Sequence, residues 1–298
     1  MSLFRLLPLW AALVLPLAAA ERLEPTPAPA PGVQTVKMQQ FNAGRDEPAT
    51  STLIQTFGRD GRLLISERLD RYGLVDTRDT YTYDARGCVT ALHTQDGPLD
   101  SWVNVTRYQV NATCDVLGSR TVDPKGEELS RSTFTYAQGR ESGEVHRNGE
   151  VVQRVSSRLN AQGRVAERTV VDAQGALHSR ERWTYHANGE VALRTSVLRT
   201  GSGWWWQEMS ADPQGEVVRY RRGSLSRDVD PLRVAWKDLV RFSGPSCFQE
   251  AFEPGTLDAQ GRWTSGKWYR VSSCDGTGDR DLRAEVGITV AMERKVGF

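Results

Sequence analysis

Apolar and polar residues alternate along most of this chain with a period of two, and short polar segments ending in glycine interrupt the alternation again and again. A period of two puts neighbouring side chains on opposite faces of an extended backbone, so the pattern predicts strands rather than helices. The clearest stretch runs from Leu159 to Val197. In it a strand ends on an apolar residue, a four-residue turn closes on glycine, and another apolar residue follows two places later. The turns are Asn160-Ala161-Gln162-Gly163, Asp172-Ala173-Gln174-Gly175 and His186-Ala187-Asn188-Gly189.

Asp or Asn at the first position can accept bonds from the backbone ahead, and glycine fits the left-handed corner that closes a type I turn with a bulge. In such a hairpin the residue before the turn faces the second residue after the glycine on one side of the sheet. The implied apolar pairs are Leu159 with Val165, Val171 with Leu177 and Tyr185 with Val191. The same spacing predicts Phe57 with Leu63 around Gly61, Tyr83 with Val89 around Gly87, Val145 with Val151 around Gly149, and Leu257 with Trp263 around Gly261. The turns at Gly126 and Gly215 are copies in which one apolar partner is missing. Repetition with the flanking pair in register predicts a meander of antiparallel strands.

Gly163, Gly175 and Gly189 are separated by even numbers of residues, which predicts one preserved face. Its odd-numbered side holds Val165, Val171, Leu177, Trp183, Tyr185, Val191, Leu193 and Val197. Its even-numbered side holds Arg154, Arg158, Arg164, Arg168, Arg180, Arg182 and Arg194. From Arg233 to Phe242 the pattern loosens, and the segment reads equally as a short helix or a strand.

The ends add compartment. Residues 1–20 carry Arg5, an apolar run from Leu6 to Ala19 and a small-residue end, the layout of a secretory signal peptide. Residues 21–33 alternate proline with small residues and read as an extended linker. Residues 34–243 form the repeat region, and 244–298 a β cap that continues the same sheet and shields its last edge. The four cysteines of this exported chain, Cys88, Cys114, Cys247 and Cys274, read as disulfides. Of three permitted connectivities, Cys88 with Cys114 and Cys247 with Cys274 is favoured, because each pair encloses about two repeats. Against the first pair, the register places Cys114 in an inward slot and Cys88, directly after Gly87, on the other face.

With 38 basic and 37 acidic residues, overall charge selects no partner, and nucleic acid is not expected as one. No segment after the signal peptide could cross a membrane as a helix. No nucleophile motif, phosphate loop or dinucleotide fingerprint occurs, so no catalytic residue is assigned. The histidines and the Asp275 to Asp281 loop match no metal-ligand spacing, and no cofactor is expected.

Tyr81-Thr82-Tyr83-Asp84-Ala85-Arg86-Gly87-Cys88-Val89 resembles the YD repeat of RHS-type secreted proteins, an aromatic-x-aromatic-Asp-x-x-Gly-x-apolar unit. Trp183 to Val191 is similar, with His186 in place of the aspartate. The resemblance implies an all-β meander wrapping into a curved extended sheet or partial shell at a bacterial surface, and it implies no catalytic residues.

Two surfaces stand out as ligand candidates. Trp204, Trp205 and Trp206 cannot all be buried by a sheet covered on one side, and exposed indoles stack on sugars or peptides; packing between repeats is the competing reading. The arginine row, above all Arg164, Arg168, Arg180 and Arg182, could track an anionic polymer, and a solvated face is its alternative. The expected function is thus an exported, non-catalytic binding or structural module of the cell envelope, its partner a polysaccharide or another envelope protein. The alternatives are an outer-membrane-associated β protein, suggested by the alternating Ile288, Val290 and Met292 before Phe298, and a carbohydrate-active protein.

Overall fold

The computed structural model describes residues 35–42, 49–97, 103–201, 203–213, 215, 217–226, 229–239, 247–257, 263–271, 273–274 and 280–291. The signal peptide, the linker, Gly261 and most of the Asp275 loop lie outside the described residues. So do Val240, Phe242, Met292 and Phe298.

Among the described residues eighteen strands follow one another. The first six are β1 (Thr35–Asn42), β2 (Ser51–Phe57), β3 (Leu63–Leu69), β4 (Val75–Tyr83), β5 (Val89–Asp96) and β6 (Val103–Val110). Next come β7 (Val116–Val122), β8 (Glu128–Ala137), β9 (Arg140–Arg147), β10 (Glu150–Leu159), β11 (Val165–Asp172) and β12 (Leu177–Tyr185). The last are β13 (Val191–Thr200), β14 (Gly203–Ala211), β15 (Val217–Ser224), β16 (Phe248–Pro254), β17 (Ser265–Val271) and β18 (Arg280–Ala291). Each pairs antiparallel with the next, and β18 pairs with β1 from Thr35 opposite Ala291 to Asn42 opposite Ala284. The sheet is therefore a closed barrel rather than a curved sheet or partial shell. Closure is the one arrangement that leaves a sheet no edge to protect.

Because strands alternate in direction, the hairpins fall at two rims. The lower rim carries the turns at Gly61, Gly87, Gly163, Gly189 and Gly215, and the upper rim those at Gly73, Gly126 and Gly175. The aspartate logic of the turns holds: Asp84 Oδ1 accepts from the amides of Arg86 and Cys88, and Asn160 Oδ1 from those of Gln162 and Arg164. The expected pairs Phe57–Leu63, Tyr83–Val89, Leu159–Val165, Val171–Leu177, Tyr185–Val191 and Leu257–Trp263 are all opposite one another.

Two expectations fail for local reasons. Val145 does not face Val151, because the turn is the two-residue Asn148-Gly149, with both φ positive at 52° and 81°. That geometry pairs Arg147 with Glu150 and Val151 with His146. The preserved parity fails as well. Nearly every four-residue hairpin is followed by a β-bulge; in β11, for example, Leu159 opposes Val165 while Arg158 opposes Glu167, so Ala166 is extra. One extra residue moves every later side chain to the opposite face. The odd-numbered apolar set is thereby split, with Trp183 on one face and Val197 on the other.

One face is the more buried along most of the ring. In β8 the alternation is clean, with Ser130, Ser132 and Phe134 buried and Arg131, Thr133 and Thr135 exposed. Val116, Phe134, Val145, Val155 and Val170 form one apolar cluster on that buried face. A second cluster joins Val197, Trp206, Leu225, Val234, Leu239 and Cys274, because the segment after β15 folds back over the other face of β13 and β14. Its described residues form neither a strand nor a long helix and include a 3-10 turn over Trp236–Asp238.

Candidate functional site

The lower rim is built from a repeated side-chain device. Tyr83 donates its hydroxyl to the Leu63 carbonyl (2.7 Å), Tyr136 to Val116 (2.8 Å) and Tyr185 to Val165 (2.7 Å). Each tyrosine thus ties its hairpin to the preceding one. Arg62 lies over the Tyr83 ring and Arg164 over that of Tyr185, with the guanidinium carbons 5.6 and 5.4 Å from the ring centres. The same two guanidiniums occupy the space that a Cβ would take at Gly87 and Gly189, whose φ angles of 93° and 96° already favour glycine. Burial pushes the Tyr83 hydroxyl up to about 12. The aromatic-Asp-x-x-Gly spacing therefore has a mechanical meaning, since its tyrosine and glycine clasp an arginine from the previous turn.

Between the second and third lower turns a disulfide takes the place of this clasp. Cys88 is bonded to Cys114 and Cys247 to Cys274, the favoured connectivity. The facing objection to the first pair is removed by the true register. Asn111 to Cys114 is itself a turn, and Cys114 stands where the other turns have glycine, at φ 67°. Both sulfurs are thereby on adjacent hairpin corners. The second disulfide joins the segments on either side of β16 and β17 beside Gly223 and Trp206.

His186 does not act as a local substitute for aspartate. Its Nε2 reaches forward to the Ala211 carbonyl at 3.0 Å, and Asn188 Nδ2 donates to the Pro213 carbonyl at 2.6 Å. Between this turn and the one at Asn160 lies an open cleft of about 380 Å³, lined among others by Gln162, Arg164, Trp183, Tyr185 and Asn188. Arg164 is committed there, donating to the Gly189 carbonyl. The cleft offers amide and hydroxyl groups for hydrogen bonding.

The arginine candidates do not share a surface. Arg168 and Arg194 lie on the buried face, flanking the Trp183 ring at 5.3 and 5.5 Å. Arg168 faces Glu141 at 3.9 Å with both side chains almost fully covered, and its Nε donates to Ser157. Burial raises the Glu141 carboxyl above the usual range, against the opposing pull of Arg168. Arg180 is on the other face and holds the folded-back segment, donating to the carbonyls of Pro231, Leu232 and Val234, with Trp236 stacked on it at 4.2 Å. Arg182 alone is exposed there. The bulge at Ala166, invisible to a parity count, is what turned Arg168 inward.

The tryptophans divide too. Trp206 is 1% exposed in the second apolar cluster and cannot stack on a ligand, and Trp204 packs against that cluster. Trp205 is half-buried on the opposite face beside Leu198 and Ser224. What the sequence could not show is the cover over Trp206, supplied by Leu225, Val234, Leu239 and Cys274 from later in the chain.

No known protein family matches the chain, and no curated protein does. Solved structures with a comparable arrangement include a porin-like protein from Bacteroides uniformis, at 11% identity and a TM-score of 0.40, over 88% of this chain and 99% of that one. A porin-like protein from Bacteroides vulgatus follows at 10% identity and a TM-score of 0.36, over 87% of this chain and 98% of that one. The Tc holotoxin pore of Photorhabdus luminescens is similar over 79% of this chain and 12% of that one, at 12% identity and a TM-score of 0.30. At these scores nothing about ligand or location passes from them to this chain.

Among the described residues no group of three or more His, Cys, Asp or Glu side chains could hold a metal ion. No described helix is long and apolar enough to cross a membrane, which says nothing about strands.

Proposed function

We propose that this is an exported, non-catalytic binding or structural module of the cell envelope, a closed barrel whose wall stands in water. The observation that supports it is charge on both faces at mid-strand. The buried face carries Arg168, Glu181 and Arg194, and the exposed face carries pairs such as Arg78 with Glu67 (2.6 Å) and Arg154 with Glu144 (3.3 Å). A wall in lipid needs an apolar band, and each arginine or lysine facing lipid at the midplane costs about 2–4 kcal/mol. Disulfides fit an oxidising compartment. Kinship with YD-repeat proteins belongs to the same reading, supported by the Tyr83 and Tyr185 clasps.

Outer-membrane association is the second reading, favoured by the edge-free antiparallel ring of 18 strands, a topology that membrane barrels require. The charged rows then put the contact with the bilayer somewhere other than mid-wall. Fractionation of cells expressing the full chain separates the two. Release from membranes by high salt or alkaline carbonate supports the water-facing module, whereas a requirement for detergent overturns it in favour of insertion.

A further inference from the structure

Exposed charges on this barrel are mostly arranged as opposite pairs across neighbouring strands, as in Arg78–Glu67, Arg154–Glu144 and Arg158–Glu167. A row that continues over three neighbouring strands departs from that habit. The register sets Arg107 of β6 opposite Arg120 of β7, Arg120 opposite Arg131 of β8, and Arg131 opposite His146 of β9. All three arginines are exposed, and like charges directly opposite destabilise a sheet. Nearby acids do not neutralise the row. Glu128 is shared between Arg120 (2.7 Å) and Arg131 (3.9 Å), and Glu144 between His146 (3.7 Å) and Arg154 (3.3 Å). Arg107 has no acidic partner among the described residues; on its other side stands Ala91.

Beside the row runs a shallow polar strip in which Gln109 faces Gly118 and Gly118 faces Thr133. Gly118 adds no side chain, so the strip is low between two hydrogen-bonding groups. Positive charges therefore recur at strand spacing, about 4.8 Å, along a line perpendicular to the strands, with amide and hydroxyl groups alongside. No Phe, Tyr or Trp lies on this face of β6 to β9 among the described residues, because Tyr108, Phe134 and Tyr136 belong to the buried face and its apolar cluster, and His146 at the end of the row is the one aromatic ring there. Single-stranded nucleic acids are held by stacking on aromatic side chains as well as by charge, and this surface offers only charge and hydrogen bonds.

We propose that Arg107, Arg120 and Arg131, with His146 at the end of the row, form a docking track for an acidic polysaccharide that lies across the strands, its anionic groups on the arginines and its hydroxyls on Gln109 and Thr133. This rests on reading the protein as an exported binding module and names the class of its ligand. The repulsion within the row is the stability cost of keeping the track charged.

The test uses the disulfide-bonded mature chain, alginate as an acidic probe, dextran as a neutral one and polyadenylate as a nucleic acid. The Arg107→Gln/Arg120→Gln/Arg131→Gln variant is expected to bind alginate at low salt about ten-fold or more weakly, with a salt dependence shallower by about three released ions. Its melting temperature stays level or rises. A control variant, Arg78→Gln/Arg158→Gln, keeps wild-type affinity. Equal alginate binding by the triple variant overturns the proposal, as does equal loss in the control or equal binding of dextran. So does tighter binding of polyadenylate than of alginate, or a lowered melting temperature in the triple variant, which would make the arginines structural. Failure here leaves the fractionation test of the envelope reading untouched, so the two are judged separately.

Discussion

Two sectors of the same barrel treat the same hairpin repeat differently. From β7 to β10 the sheet is covered on one face only; Ser132, Phe134 and Val145 are buried on it, while Arg131, Thr133 and Thr135 look into solvent from the other. From β13 to β15 both faces are covered, so that Thr195, Ser196 and Val197, consecutive along β13, are all buried. The difference comes from the connection after β15, which folds back to place Leu225, Val234 and Leu239 over Val197 and Trp206. Local alternation is thus a guide to burial only where nothing distant in sequence lies on the sheet.

Trp206→Ala should sharpen this contrast most. It removes a fully buried indole and should cost about 3–5 kcal/mol, whereas Thr133→Ala on the open sector should stay within about 0.5 kcal/mol. Urea unfolding of both variants measures the difference, and similar costs would remove the distinction between the sectors. Next, replacing Cys247 and Cys274 by serine should cost about 2–4 kcal/mol and should loosen the covered sector first. Hydrogen exchange there, compared with β7 to β10, reads the locality. Uniform loosening would show the cover is held without its disulfide.

The rim clasp should count for less. Tyr185→Phe removes one hydrogen bond and should cost about 1 kcal/mol, leaving the Arg164 stack in place. A melting-temperature shift matching that of Trp206→Ala would mean the hydroxyl matters far more than its bond. The smallest effect concerns Glu141. Its carboxyl is held above the usual range by burial, so the native state binds the extra proton, and stability falls as pH rises from the ordinary carboxylate pKa through the raised one. Glu141→Gln should abolish that slope, so its melting temperature relative to wild type should become more favourable between pH 4 and pH 7.5. A constant difference would mean that Arg168 fully offsets the burial.

The turns were the most legible feature, because their chemistry is local. Asp84 and Asn160 bond amides within four residues, and a positive φ favours glycine whatever surrounds it. The disulfide partners were legible by spacing alone, while their facing was misjudged until Cys114 proved to stand in a glycine's place. The candidate sites were the least legible. Arg168 changed face through one inserted residue at Ala166, and Trp206 was buried by a segment that its own neighbours do not announce.

By itself the sequence determined that the chain would double back at its polar corners and pair neighbour with neighbour, since both depend on interactions a few residues long. Tertiary structure alone decided three further things: that the eighteenth strand would meet the first, which side chains each bulge would turn inward, and that three arginines on successive strands would come into register as a row. The reason is that closure and face are sums over every hairpin. A single extra residue or a single fold-back changes them without leaving any mark on the local pattern.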